Sequence, residues 1–403
     1  MNFKNGILAV LVSVFFIITL TNISEAQEHI NFKHITIENG LSQSNAQTIY
    51  QDSNGYIWIG TNEGLNRYNG FEMKVYKADK DKKNTIINNY ILSIQEDNEK
   101  NLWVGTNKGI SKINLETEEI TNYEHDEDGN TFFKVRSILL TKRGTVLVII
   151  QDNVYMYDKE FDKFKVSLSE EDVFSKEDVM DIEEDNFHNI WIGTDKSLIK
   201  MDRGTMKITQ YISHENVETL KDDRINSILI DDENNLWVST NNNGLIKILV
   251  KNGETHKVIR YYHDANDDTT IPSNTTKSII QDENGMIWIG TDSGLCKYLG
   301  DNKFYTYHNN YDSNSLLDDN VYSLMQDSTG LIWVGTYTGI SIFNPNNKII
   351  QYKSDPLNKN SLSSNVIQGV YEDEDGLIWV GTRDKGLNIM DRENNKYIKI
   401  SAG

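Results

Sequence analysis

The sequence predicts an all-β protein, a β-propeller of seven or eight four-stranded blades, and three observations carry that prediction. All seven tryptophans stand in one word: Trp, then Ile or Val, then Gly (Ser once), then Thr. They are Trp58, Trp103, Trp191, Trp237, Trp288, Trp333 and Trp379, spaced 45, 88, 46, 51, 45 and 46 residues apart, and 88 is twice 44, so one copy lacks its Trp. The apolar runs are too short for helices and are bounded by Gly, Asn or Asp turns, which marks strands and hairpins. One such unit every 45 residues or so is the period of a propeller blade.

The chain opens with Lys4, an apolar run from Gly6 to Leu20, and Ser24-Glu25-Ala26 before Gln27. This reads as a secretory signal over 1–26, cleaved after Ala26, with an uncleaved anchor as the alternative. The run is short against the roughly 20 residues of a membrane span. Residues 27–403 are then propeller repeats, with blade cores at 45–76, 90–123, 135–166, 179–211, 225–262, 277–307, 321–352 and 366–400.

The first copy shows the internal logic. Gln47 to Asp52 forms strand a, Ser53-Asn54-Gly55 a turn, Tyr56 to Thr61 strand b, Gly64 to Tyr68 strand c, and Phe71 to Tyr76 strand d. Asp recurs at the a–b turn as Asp52, Asp97, Asp185, Asp231, Asp282, Asp327 and Asp373, often with Gly three residues on. Asp caps a turn and Gly supplies positive φ. Asp373-Glu374-Asp375-Gly376 invites a calcium reading, but it lacks the distant bidentate Glu of a calcium loop.

On strand b, Trp58 and Gly60 share one face, so a large residue beside a small one leaves a notch for the neighbouring blade. In the exceptional copy Leu147 stands for Trp and Ile149 for Gly, which keeps volume roughly constant. The tryptophans are therefore core. Strand c carries Arg67, Lys112, Lys200, Lys247 and Lys297 at one position, read as structural partners rather than an anion ladder. Cys296 lies on a strand and reads as a small buried hydrophobe.

Ring closure stays open at this level. Phe32 to Ile37 resembles a lone d strand. With seven blades it completes the seventh copy and the eighth begins a further ring; with eight it competes with Lys396 to Ile400. Either closure removes an exposed sheet edge.

The unit resembles the two-component regulator propeller repeat through Ile49 to Asp52, Ile57 to Thr61 and Gly64 to Tyr68, echoed in every copy, and through the opening Ile35 to Asn45. That resemblance implies an exported sensor region whose relatives continue into a β-sandwich, a membrane helix and a histidine kinase or diguanylate cyclase output. It further implies a role in recognising polysaccharide breakdown products. Within these 403 residues we find no such output and no later membrane span, so the membrane would be met only through an uncleaved signal or a C-terminal part not contained here.

Sixty Asp and Glu against 40 Lys and Arg give a net charge of −20, which disfavours nucleic acid. Strand order places b–c turns and d–a connections on one face, where rigid scaffolds carry recognition loops. The residues expected to meet a carbohydrate or other small extracellular ligand are Asn241, Asn242, Tyr311, Tyr337, Arg383 and Asp384. A homodimer or a sibling sensor chain is the alternative partner. A lyase resembling the streptogramin lyases is the enzymatic alternative, resting on His125, His214, His263 and His308 after strand d. No cofactor and no metal are expected.

Overall fold

The computed structural model describes residues 30–168, 177–202, 207–213, 223–251, 254–310, 312–346, 352–354, 358–392 and 396–401. The signal segment expected over 1–26 lies outside them. Apart from a single turn of 3-10 helix at Ile37–Asn39, every regular element among the described residues is a strand. The strands form eight four-stranded antiparallel sheets. The second is typical, running from Ile91–Glu96 through Asn101–Thr106 and Gly109–Asn114 to Ile120–Tyr123.

Seven sheets make the ring. The strand Lys33–Ile35 pairs with Ile340–Phe343 as the fourth strand of the seventh blade, with His34 opposite Ser341. The seventh blade core expected over 321–352 thus ends at Phe343 and borrows its outer strand from the start of the chain. Inner strands touch in sequence from the first blade to the seventh and back to the first. At that seam Ser323 Oγ donates to Ala46 O at 3.1 Å and Ser328 N to Gln51 Oε1 at 2.6 Å. Equivalent staples recur round the ring: Ser53 N donates to Glu96 Oε2 at 2.6 Å, Asp232 N to Gln281 Oε1 at 2.8 Å and Glu283 N to Gln326 Oε1 at 2.8 Å. In each, the residue after the turn position that usually holds Asp reaches the side chain just before that position in the next blade.

The turn aspartates do more than cap. Oδ1 of Asp52 accepts from the backbone of Asn54 and Tyr56, while Oδ2 accepts from Trp58 Nε1 at 2.7 Å. All seven tryptophans make this bond to the Asp six residues before them, at 2.6 to 3.1 Å. The basic position of strand c lies over the same rings: Arg67, Lys112, Lys200, Lys247 and Lys297 sit 4.4 to 5.7 Å from the indole centroids of their blades. These are structural cation–π partners, and the same position faces Trp across the ladder in each case.

In the ring, the notch that Gly leaves beside Trp is filled by the next blade. A Cβ on Gly60 would lie 2.6 Å from Ile91 Cγ2, and one on Gly193 2.6 Å from Ile225 Cγ2. In the third blade Leu147 and Ile149 are buried and pack with Val179 and Ile182 of the fourth, so volume is traded as expected. Three losses coincide there. Trp becomes Leu147, the Asp six residues before it becomes Thr141, and the strand c cation becomes Met156. Thr141 Oγ1 keeps the turn by accepting from Thr145 N at 2.9 Å. Cys296 is fully buried and its thiol is pushed up to about 12 by that burial.

The eighth copy, Ile367–Glu372, Ile378–Thr382, Leu387–Asp391 and Lys396–Ile400, belongs to a second compact unit. Its inner strand is exposed along its whole length, and a Cβ on Gly381 would meet only Gly369 O, at 3.8 Å. In urea unfolding, Gly60→Ala should therefore cost about 1–3 kcal/mol through overpacking, whereas Gly381→Ala should stay within ~0.5 kcal/mol. A second test copies the third blade. Asp52→Thr alone strands a buried indole N–H and should cost about 1–3 kcal/mol; adding Trp58→Leu should cost less than the sum of the single changes in a double-mutant cycle.

Candidate functional site

Each inner strand begins at the face that carries the b–c turns. Asn107 N donates to Tyr90 O, Asp195 N to Asp178 O, Asn241 N to Arg224 O and Tyr337 N to Asn320 O, at 2.9 to 3.1 Å. In six ring blades the inner strand then bulges: the ladder skips one residue between its first and third positions. The skipped residues are Leu92, Arg136, Met180, Asn226, Lys277 and Tyr322. A bulge re-aims a side chain and is common beside functional sites. The residues that precede the strands are as diverse: Tyr90, Lys134, Asp178, Arg224, Thr275 and Asn320. The blade core repeats; this collar of inner-strand entries, the mouth of the ring, does not.

The collar has two sectors. In one, Lys277 Nζ lies 4.2 Å from the Tyr322 ring centroid and donates to Asn320 Oδ1. Asn320 Nδ2 donates to Tyr322 OH at 3.3 Å. Burial pushes the Tyr322 phenol up, and the charges acting on it include those of Tyr337, Asp318 and Tyr90. Tyr337 is 55% exposed and Tyr90 38%, so aromatic faces stand open to a ligand here. In the other sector Arg136 Nη2 meets Asp178 Oδ2 at 3.2 Å. Burial, then the Arg136 charge, holds Lys134 and Arg224 below their ordinary values. Lys277 is lowered by burial as well.

Below the mouth, on Val179–Glu184, lie two neighbouring carboxyls. Asp181 accepts from Ser137 Oγ and Ile228 N, both at 2.9 Å, and burial raises it. Glu183 is pushed up to about 8, first by burial and then by the Asp181 charge.

The expected ligand residues divide. Asn241 and Tyr337 lie on the mouth face, exposed. Asn242 is tied down: its backbone N and Nδ2 donate to buried Asp223 at 2.8 and 3.0 Å. Arg383 and Asp384 lie in the b–c turn of the eighth blade, in the other compact unit. Tyr311 and His214 fall outside the described residues. His263 Nδ1 faces Ile271 O at 2.9 Å and His308 Nδ1 lies 3.9 Å from Asp319 Oδ1, each in its own connection. Among the described residues no three His, Cys, Asp or Glu side chains group to hold a metal ion. Sequence reasoning missed Arg136, Arg224, Lys277 and Tyr322. Their signal was variation at one fixed position just inside strand a, where the core pattern is otherwise constant.

Residues 40–63, 85–108, 219–242, 270–293, 315–338 and 361–384 each match the profile described as the two component regulator propeller. A stretch of 81 residues is 33% identical to Histidine kinase P4 of Formosa agariphila, covering 20% of this chain and 6% of that protein. Two solved extracellular domains from B. thetaiotaomicron share the fold. One, described as part of a hybrid two component system, gives a TM-score of 0.71 at 21% identity over 92% of this chain and 49% of the other. The second, described as part of a one component system, gives 0.65 at 21% identity over 92% and 54%. The chain thus spans about half the length of these solved domains.

The carboxyls below the mouth set a pH dependence. A carboxyl raised on folding contributes stability that is complete below its unfolded value of 4.5 and is lost as pH rises through about 8. Glu183→Gln should melt above the parent at pH 9 and together with it at pH 4, in thermal scans of the full chain.

Proposed function

This chain is a two component regulator propeller repeat protein, and from that premise we propose that its ring is the ligand-sensing region of an exported signalling protein, receiving a carbohydrate at the ring mouth. One observation carries the reading: the side chains that break the repeat gather on a single face, on bulges of strands the ring holds rigid. Tyr90, Tyr322 and Tyr337 offer flat apolar faces with polar tips, suited to sugar rings. Asn226, Asn241, Asn320 and Lys277 supply donors and acceptors for hydroxyls. A rigid platform of this kind costs little ordering on binding. Export agrees with the solved extracellular domains that share the fold, and no helix among the described residues is long and apolar enough to cross a membrane.

Titration calorimetry of the purified chain against a panel of oligosaccharides tests the reading. At least one glycan should give saturable heat and raise the melting temperature, and Tyr337→Ala should weaken it about tenfold, the loss of one stacking face. No heat and no thermal shift with any glycan would remove carbohydrate as the ligand.

A further inference from the structure

The collar's second sector is more specific than its first. Lys134, Arg136 and Arg224 belong to the entries of the third and fifth inner strands, with Asp178 at the entry of the fourth. Lys134 occupies the left-handed region at φ 49°, its backbone N held by Asn107 O. In a chain of net charge −20, cations gathered at one point run against the composition. Asp152, Asp178 and Asp195 lie near as well, but after burial the charged group that acts most strongly on both Lys134 and Arg224 is Arg136. Arg136 Nη2 meets Asp178 Oδ2 at 3.2 Å, joining the third inner strand to the entry of the fourth. The Arg136 side chain is 11% exposed, and its Nε is buried with no hydrogen-bond acceptor among the described residues. A guanidinium is a planar fork built for a two-oxygen anion. With one arm on Asp178, Arg136 still holds a buried N–H that no protein acceptor satisfies among the described residues.

We propose that Lys134, Arg136 and Arg224 form an anion site at the ring mouth, and that the ligand presents a carboxylate or sulfate to it. This rests on the mouth being the recognition site, and it narrows a carbohydrate ligand to an acidic one. The aromatic sector takes the sugar faces, and the cationic sector selects by charge.

The test uses the full chain and four probes in calorimetry and thermal shift: a uronic-acid oligosaccharide, a sulfated oligosaccharide, a neutral oligosaccharide of equal length, and sodium sulfate. An acidic sugar should bind at least tenfold more tightly than the neutral one. Arg136→Gln should remove that margin, Arg136→Lys should keep part of it, and salt should weaken it. Which acidic sugar binds distinguishes carboxylate from sulfate. Equal binding of neutral and acidic sugars, unchanged in Arg136→Gln, would overturn the anion site and leave the carbohydrate reading intact. Arg136-dependent protection by sulfate with no sugar bound would support the anion site and defeat the carbohydrate reading. No binding by any probe would overturn the inference. If Arg136→Gln melts far below the parent, Lys134→Gln takes its place.

Discussion

The hydrogen bond from each indole N–H to the carboxylate six residues before it ties together features that would otherwise be independent. A buried Trp needs a partner for its one polar atom, and a tight turn needs an acceptor for its free N–H groups. One Asp serves both, with Oδ1 on the turn and Oδ2 on the ring. The Trp is then fixed in the orientation that leaves the notch beside it, and in five blades a strand c cation lies over its face, with Ile342 and Ile389 in that place opposite Trp333 and Trp379. The third blade shows the dependence by exception, because Trp, Asp and cation are all replaced there, with Leu147, Thr141 and Met156 in their positions. What remains is an apolar contact and a turn held by a hydroxyl.

This constraint explains why recognition residues sit where they do. Strand b and the a–b turn are committed to packing, and strand c to the Trp. The ring side of each blade is free only at the entry of strand a and in the turns beside it. A bulge there releases one residue from the ladder. Side chain identity at that point can change without disturbing the notch, the turn or the inter-blade staples, and it changes in every blade that has the bulge.

Most of the fold was legible in the sequence because packing requirements recur at fixed spacing. Trp58 with Gly60, and Asp52 before them, announce a blade. Leu147 with Ile149 could be read as a volume exchange without coordinates. Closure was legible only as a choice, since Phe32 to Ile37 and Lys396 to Ile400 both satisfy the strand pattern, and pairing with Ile340–Phe343 is a long-range fact. The site was legible as a face but less so as residues. Asn241 and Tyr337 reach it, while Asn242 spends its amide on Asp223, and Arg383 with Asp384 belongs to a blade of the other compact unit. Arg136 and Tyr322 escaped because a bulge has no sequence word of its own.

The seam of the ring also orders events in time. His34 and Ser341 pair across 307 residues, and synthesis delivers the first strand long before its partner. Until the seventh blade emerges, Lys33–Ile35 has no ladder, and the blades between can stack without the circle being shut. Non-local pairing of this span is slow to find, so the final step of folding is a docking of the two ends of the ring rather than the growth of one more blade. The mouth, whose collar draws on both sides of that seam through Tyr90 and Tyr322, is complete only afterwards.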